Sequence, residues 1–226
     1  MSKLKNVVIT GASKGIGRAL AELLLSENYR VIGTSRSGII KDIDHPNFIP
    51  LQLEISDPDS IAMAHKQISE HIDSIDILIN NAGIGPDLGY EFPDPITFQE
   101  TFKVNVEGVV FFTEPLLDLV NKNGIIMNIS SKMGSVESLQ SAGSIAYRMS
   151  KSAVNMYSKT LALRLQGAPR VAVIHPGWVK TTIMHSNLEL APLTPKDSAE
   201  RIYKFMISDF NSGDYYDAEA DRLLPW

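Results

Sequence analysis

Short runs rich in β-branched residues alternate with longer amphipathic segments along most of this chain. The first runs lie at Val7–Thr10, 30–34 and 49–55, and helical patterns follow the first and third of them at 15–28 and 58–72. Alternation of this kind predicts a parallel sheet with helices packed on both of its faces. The pattern therefore favours an α/β chain over an all-α or all-β one.

The second half of the chain continues the pattern. Its predicted elements, in chain order, are a strand at 75–80, a helix from about Val104 to Asn121, a strand at 125–130, a helix from about Tyr147 to Gln166, a strand at 171–175, a helix near 195–207 and a short strand near Tyr215. No repeat or linker divides these elements. We expect one doubly wound, Rossmann-type domain of three layers over residues 1–226, with ligands bound near the Gly- and Pro-rich loop at 83–95.

Composition narrows the possible partners. The 226 residues are 44% hydrophobic, which supplies a sizeable core, and the net charge of -5 with no basic run argues against a nucleic-acid surface. No cysteine is present and the histidines lack metal-ligand spacing, so we expect no metal site. No apolar run is long enough for a signal peptide or a membrane span. We expect a cytoplasmic protein that binds small molecules.

Three glycines follow the first predicted strand and open the first helix. At Gly11, Gly15 and Gly17 the backbone amides and the helix dipole would face an anion, which favours the pyrophosphate of a dinucleotide. Arg36 stands at the end of the second strand, where an acidic residue would instead bind a ribose 2′-hydroxyl, and Lys14 adds a second cation. We therefore favour NADP(H) over NAD(H).

Tyr147 and Lys151 lie four residues apart in a predicted helix, so their side chains share one helix face. Two such groups about 5 Å apart couple by roughly 3 kcal/mol at an effective dielectric of about 20, or about two pKa units. This coupling predicts that the ammonium lowers the pKa of the phenol toward neutrality. Tyr147 is therefore our candidate acid/base catalyst, and we expect an oxidation rate whose apparent pKa is well below 10.

Together these motifs resemble the short-chain dehydrogenases/reductases in their single-domain form. The segments that carry the resemblance are Thr10–Gly17, Asn80-Asn81-Ala82-Gly83, Asn105, Ser131, Tyr147 with Lys151, and 176–181. The resemblance implies that Tyr147 is the general acid/base, that Lys151 binds the nicotinamide ribose and lowers the pKa of the tyrosine, that Ser131 polarises a substrate carbonyl, and that Asn105 holds a water in a proton relay. The compact form is similar to the branch of sniffer-type carbonyl reductases and C-factor-like bacterial proteins.

The resemblance also implies a set of residues that contact the cofactor. They are Gly11, Ser13, Lys14, Gly15, Ile16, Gly17, Ser35, Arg36, Glu54, Ile55, Asn81, Ala82, Gly83, Tyr147, Lys151, Pro176, Gly177, Val179 and Thr181. Within this set, Val179 and Thr181 would meet the nicotinamide carboxamide.

Three features depart from the usual family pattern. Fifteen residues separate Ser131 from Tyr147, which is more than usual, so Ser130 remains an alternative to Ser131 although the strand end favours Ser131. Glu54 stands where the family usually has Asp beside the adenine, and a surface acid at a strand end is the alternative reading. Only eleven residues lie between Thr182 and Thr194, so we expect an open substrate pocket.

The leading expectation is an NADP(H)-dependent oxidoreductase that interconverts an aldehyde or ketone and an alcohol. An NADP(H)-binding sensor or signalling protein with little turnover is the alternative, and epimerisation or dehydration on the same scaffold is a third. The segment 104–121 carries more apolar residues than one sheet contact requires, which predicts a helix buried nearly all round. We favour self-association into a homodimer or homotetramer over burial inside one subunit.

Overall fold

Eight strands form one continuous sheet in a computed structural model that describes residues 4–226. The strands are β1 (Asn6–Ile9), β2 (Arg30–Ser35), β3 (Phe48–Gln52), β4 (Ile75–Asn80), β5 (Val120–Ile129), β6 (Arg170–His175), β7 (Asp214–Asp217) and β8 (Arg222–Leu223). Their order across the sheet is β3-β2-β1-β4-β5-β6-β7-β8. All neighbours are parallel except β8, which returns antiparallel to β7 at the sheet edge.

Helices connect the consecutive parallel strands except β2 and β3, which a loop joins. The helices are α1 (Gly15–Ser26), α2 (Pro58–His71), α3 (Pro95–Phe102), α4 (Val109–Thr113), α5 (Ile145–Arg164), α6 (Asn187–Leu190) and α7 (Pro195–Met206). Along β1, Val7 and Ile9 pack into one core with α1 and α7, whereas Val8 packs into a second core on the opposite face. This two-residue alternation gives the sheet two buried faces and confirms the doubly wound, three-layer fold.

The chain reverses its winding direction between β1 and β4, which are neighbours in the sheet although they are distant in sequence. From β1 the chain adds β2 and then β3 on one side of β1, and it adds β4 and the later strands on the other side. In open α/β sheets, a crevice for ligands forms outside the carboxyl ends of the strands at such a point. Thr10 and Asn81, which follow these two strands, therefore mark the place to look for a site.

The predicted helix at 104–121 has different boundaries. Helical structure begins at Pro95, where the Asp94 side chain accepts a hydrogen bond from the Thr97 amide (2.8 Å), and it continues to Leu119. Our sequence interpretation assigned Asp94 and Pro95 to the long loop and so missed this helix start. Residues 103–108 form a π-helical turn and 114–119 a 3-10 turn, and β5 begins directly afterwards, five residues before the predicted strand.

The same segment is not buried all round. Val109, Phe112 and Leu116 are almost completely buried beneath the sheet, but the Phe111 side chain is 60% exposed. Burial of this helix inside one subunit is therefore incomplete at Phe111, because the helical period turns this side chain away from the core. Within residues 4–226, no helix is both long enough and apolar enough to cross a membrane.

Candidate active site

The glycine turn between β1 and α1 leaves its backbone open toward the cleft. Gly11 and Gly15 have φ values of +71° and +59°, a region that side chains rarely permit. At the start of α1, Lys14 is extended and makes no side-chain capping bond. The amides of the first helical turn therefore lack a side-chain acceptor, which is the arrangement that binds a phosphate.

Gly17 has a packing role instead. A Cβ atom at this position would lie 2.4 Å from the Gly11 oxygen and 2.4 Å from Asn81 Nδ2, so nothing larger than glycine fits without a backbone shift. Gly17 does not line the cleft, although Gly11, Ser13, Lys14, Gly15 and Ile16 do. The space beside Gly17 is filled by the chain itself, and a direct contact between Gly17 and the cofactor stays a prediction.

The Asn81 side chain locks the glycine turn onto β4. Its Nδ2 donates to the carbonyl oxygens of Thr10 and Gly11, each at 3.0 Å. In return, the Thr10 hydroxyl accepts hydrogen bonds from the amides of Asn81 and Ala82, both at 3.0 Å. These bonds hold Ala82 and Gly83 along the middle of the cleft.

The far end of the cleft contains the residues expected at the adenosine. Ser35, Arg36, Glu54 and Ile55 all line it. Glu54 Oε1 accepts hydrogen bonds from the amide and hydroxyl of Ser56, at 3.2 and 2.8 Å, so this carboxylate shapes the turn after β3. Arg36 is exposed directly after β2, where it can reach a phosphate at the cleft rim.

The Tyr147 phenol and the Lys151 ammonium lie on one face of α5 at the opposite end of the cleft. Lys151 Nζ is 5.6 Å from the centre of the Tyr147 ring and donates to the Ile129 carbonyl at 3.0 Å. Burial raises the pKa of Tyr147 to about 12; the Ser131 hydroxyl opposes this rise and the Asp87 charge adds to it. Burial also lowers the pKa of Lys151 to about 8.

The predicted lowering of the Tyr147 pKa is therefore wrong in this structure. A lowered pKa is expected for such a pair near a protein surface, where the ammonium would dominate. In the structure both side chains are buried, and burial favours the neutral form of each group. The ammonium also turns toward the Ile129 carbonyl.

Ser131 and Ser130 face different surroundings. Both serines line the cleft, but the Ser131 hydroxyl lies beside the Tyr147 phenol and accepts a hydrogen bond from the Met133 amide at 3.2 Å. The Ser130 hydroxyl donates into the interior, to Asn155 Oδ1 at 2.7 Å. This geometry favours Ser131 as the residue that meets a substrate.

A buried tyrosine that the sequence interpretation missed supports Ser131. The Tyr215 hydroxyl donates to the Ser131 carbonyl oxygen at 2.5 Å, and the Tyr215 ring is 1% exposed. The sequence placed a short strand near Tyr215 but gave no signal for this bond, because the two residues are 84 positions apart.

Asn105 lies beneath the cleft rather than along its wall. Its Oδ1 accepts from the Ile84 amide and its Nδ2 donates to the Ile84 carbonyl, both at 2.8 Å, and Nδ2 also donates to Ser150 Oγ at 3.0 Å. Both donors of the Asn105 amide and one acceptor site of its oxygen are thus engaged by the protein. Asn105 lies inside the π-helical turn, a kind of irregularity that is frequent at functional sites.

The segment after β6 forms the remaining wall. Gly177 has a φ of +92°, Val179 forms a bridge with Leu193, and Ser198 Oγ donates to the Pro176 carbonyl at 2.7 Å. Pro176, Gly177, Val179 and Thr181 all line the cleft. The short segment 182–194 includes α6, whose Asn187 accepts a hydrogen bond from the Trp178 indole at 2.9 Å.

These residues form one cleft of about 1420 Å³. It joins the glycine turn, Arg36 and the Tyr147 end, and of the predicted site residues only Gly17 and Asn105 do not line it. Among residues 4–226, no group of three or more His, Asp or Glu side chains could hold a metal ion. The arrangement suits a dinucleotide with its reactive end beside a phenol and a hydroxyl.

Comparison with known proteins defines the class. The short chain dehydrogenase family matches residues 5–191, and this chain belongs to that family. The chain is 32% identical to an uncharacterized oxidoreductase of Schizosaccharomyces pombe over 208 residues, which cover 90% of this chain and 70% of the relative. It is 33% identical to a 3-oxoacyl-[acyl-carrier-protein] reductase of Aquifex aeolicus over 187 residues, with 77% and 73% covered.

Solved structures agree with this class. The carbonyl reductase Sniffer of D. melanogaster superimposes with a TM-score of 0.88 at 25% identity, covering 99% of this chain and 100% of that one. The NADPH-bound carbonyl reductase from chicken fatty liver gives a TM-score of 0.87 at 26% identity, with 100% of both chains covered. The expected family and its likeness to sniffer-type carbonyl reductases are confirmed, and the chain is an oxidoreductase of this family.

Proposed function

We propose that this protein is an NADP(H)-dependent carbonyl reductase, which interconverts an aldehyde or ketone and an alcohol. The observation that carries the proposal is the single cleft that joins Arg36 and the glycine turn to Ser131, Tyr147 and Lys151. Three similar structures contain NADP or NADPH, and three are carbonyl reductases. A cytoplasmic location and a small carbonyl or alcohol compound as partner are parts of the same proposal.

The cleft wall fits a dinucleotide. A Cβ atom at Gly15 would lie 3.4 Å from Thr181 Cγ2, and one at Gly83 would lie 3.3 Å from Asn105 Oδ1 and 3.5 Å from Lys151 Nζ. Side chains at these two positions would fill the space between the glycine turn and the catalytic end. Lys14 and Arg36 supply the cations that a 2′-phosphate requires, which supports NADP(H) over NAD(H).

Each residue of the catalytic end has a role in this reaction. NADP(H), when bound, supplies or accepts the hydride. Lys151 would bind the ribose, while Ser131 and Tyr147 would donate hydrogen bonds to the carbonyl oxygen, where negative charge develops. Because burial raises the pKa of Tyr147 to about 12, its phenol is protonated at neutral pH and can give a proton in the direction of reduction.

The test compares two tyrosines of one helix. Tyr147→Phe removes the proposed acid, so we expect kcat for aldehydes, diketones or quinones to fall by about a thousandfold, with NADPH affinity unchanged. Tyr157→Phe is the control, because the Tyr157 hydroxyl bonds Glu114 (3.0 Å) outside the cleft. NADPH binding without turnover of any substrate by the parent protein would instead favour the sensor.

We also propose that the protein forms a homodimer or homotetramer. Met149, Met156 and Leu163 are spaced seven residues apart on α5, with side chains that are 48%, 69% and 72% exposed. A second copy of this apolar stripe would cover it in an isologous contact. Analytical ultracentrifugation at micromolar concentration should show an oligomer that Met156→Lys dissociates; a monomeric parent protein would contradict this.

A further inference from the structure

Helix α5 carries the Tyr147 phenol but has no cap of its own. Ser144 precedes the helix with φ of +62° and makes no side-chain capping bond, and the first turn contains no acidic residue. The amide of the third helical residue, Tyr147, would ordinarily be satisfied by the side chain of the capping residue. In α5 this amide needs an acceptor from elsewhere in the chain.

Asp87 supplies that acceptor from the loop after β4. The Tyr147 amide lies 3.1 Å from Asp87 Oδ1 and 3.2 Å from Oδ2, across a sequence separation of 60 residues. The Asp87 side chain is buried, at 3% exposure, so the charge is shielded from water at the positive end of a twenty-residue helix. A carboxylate that accepts from a backbone amide makes a strong, charge-assisted hydrogen bond.

The loop at 84–90 is fixed to the catalytic residues at both of its ends. At its start, Ile84 exchanges two hydrogen bonds of 2.8 Å with the Asn105 side chain. At its end, the Gly89 amide donates to Ser144 Oγ at 3.0 Å, and the Ser144 amide donates to the Tyr90 carbonyl at 2.8 Å. Asp87 lies between these two anchors.

Asn105 and Ser150 form a second hydrogen-bonded connection to the Tyr147 backbone. Ser150 Oγ accepts from Asn105 Nδ2 and donates to the Tyr147 carbonyl oxygen at 2.8 Å. The Tyr147 backbone is therefore held at its amide by Asp87 and at its carbonyl through Ser150. The phenol projects from a backbone unit with both polar groups engaged.

We propose that Asp87 is a positioning residue for Tyr147. Asp87 caps α5 from loop 84–90, so the position of the general acid depends on the position of this loop. Asp87 does not line the cleft, whereas its neighbours Pro86 and Leu88 do. It therefore acts through the Tyr147 backbone and not on the substrate. The catalytic consequence rests on the proposed reductase function, whereas the capping role does not.

The experiment compares two aspartates that cap helices. In Asp87→Ala we expect kcat for reduction to fall at least tenfold, while the Kd for NADPH changes less than twofold. Asp94→Ala is the matched control, because Asp94 caps α3 through the Thr97 amide but makes no contact with Tyr147. Asp87→Asn keeps an oxygen acceptor and should recover part of the lost kcat; it also serves if Asp87→Ala does not fold.

A second measurement does not need turnover. Hydrogen exchange at 145–148 should accelerate at least tenfold in Asp87→Ala but not in Asp94→Ala. Equal kcat in the two alanine variants, or unchanged exchange at 145–148, overturns the proposal. If the parent protein shows no turnover, the reductase function fails, and the exchange rates alone support or overturn the capping of Tyr147 by Asp87.

Discussion

The two ends of the cleft are built differently. At the nucleotide end, a Cβ atom on Gly17 would meet the Gly11 carbonyl oxygen at 2.4 Å, which is backbone and cannot move aside. At the substrate end, a Cβ atom on Gly85 would meet Leu88 Cδ1 at 2.5 Å, the tip of a flexible side chain. The nucleotide end is therefore fixed by backbone packing, whereas the substrate end can adapt by moving side chains.

Electrostatics separates the two ends in the same way. Arg36 at the nucleotide end is exposed to water, so its charge is fully hydrated before a phosphate arrives. At the substrate end Lys151 and Asp87 are both buried, with exposures of 6% and 3%. Burial lowers the pKa of Lys151, so its charge responds to pH, and replacing either buried group should have a larger effect than replacing a hydrated one.

After Tyr147→Phe, the largest effect is expected at the buried charge of Lys151. Lys151→Met should lower kcat for reduction by about a hundredfold at pH 6.5 with saturating NADPH, because the ammonium that orients the ribose and faces Tyr147 is lost. In the parent protein the pKa of Lys151 is lowered to about 8, so the ammonium is present below that pH and disappears above it. The rate of reduction should therefore fall as pH rises through about 8.

Lys151→Arg keeps the positive charge at this position but changes the shape of the side chain. A guanidinium stays protonated across the working range, so the fall near pH 8 should disappear even if the rate is reduced overall. Rates are measured from pH 6 to 10 with NADPH held saturating. An unchanged falling limb in Lys151→Arg would show that another group titrates.

The fold was predictable because it depends on repeated local patterns. The β-branched runs and helical periods placed β1, β2, β4, β6 and the main helices close to their observed positions. The errors lie in the irregular stretch from Pro95 to Leu119, where α, π and 3-10 turns follow one another and the period changes. A single helical period cannot describe such a segment.

The site was predictable only in part, for a related reason. Motif residues such as Gly11, Tyr147 and Lys151 line the cleft as expected, because each motif is local in sequence. Asp87 and Tyr215 support Tyr147 and Ser131 across 60 and 84 positions, and no sequence spacing encodes such pairs. The error in the Tyr147 pKa has the same origin, since burial is a property of the folded chain.

Two glycine variants test whether the substrate end of the cleft adapts to an added methyl group more easily than the nucleotide end does. Gly17→Ala should lower the free energy of unfolding by about 1–3 kcal/mol, because the new methyl group must displace backbone, and it should weaken NADPH binding by shifting the glycine turn. Gly85→Ala should leave NADPH affinity unchanged and alter the kcat and KM of the carbonyl substrate, because its methyl group would lie 2.5 Å from Leu88 Cδ1 and 3.1 Å from Tyr147 Cδ2. Denaturant melts and NADPH titrations measure both variants; similar losses in the two would contradict the proposed difference.

The smallest expected effect concerns the hydrated charge at Arg36. Arg36→Asp should raise the KM for NADPH by about tenfold, since one charge-assisted hydrogen bond contributes roughly 1.5–3 kcal/mol, while the KM for NADH should fall or stay constant. Arg222→Asp, an exposed arginine on β8 outside the cleft, controls for the change in net charge. Salt screens the exposed Arg36 charge but not the buried Lys151 charge. The tenfold effect of Arg36→Asp should therefore shrink at 0.5 M NaCl, whereas the loss in Lys151→Met should persist. An unchanged KM for NADPH in Arg36→Asp would remove the assignment of the 2′-phosphate to this end of the cleft.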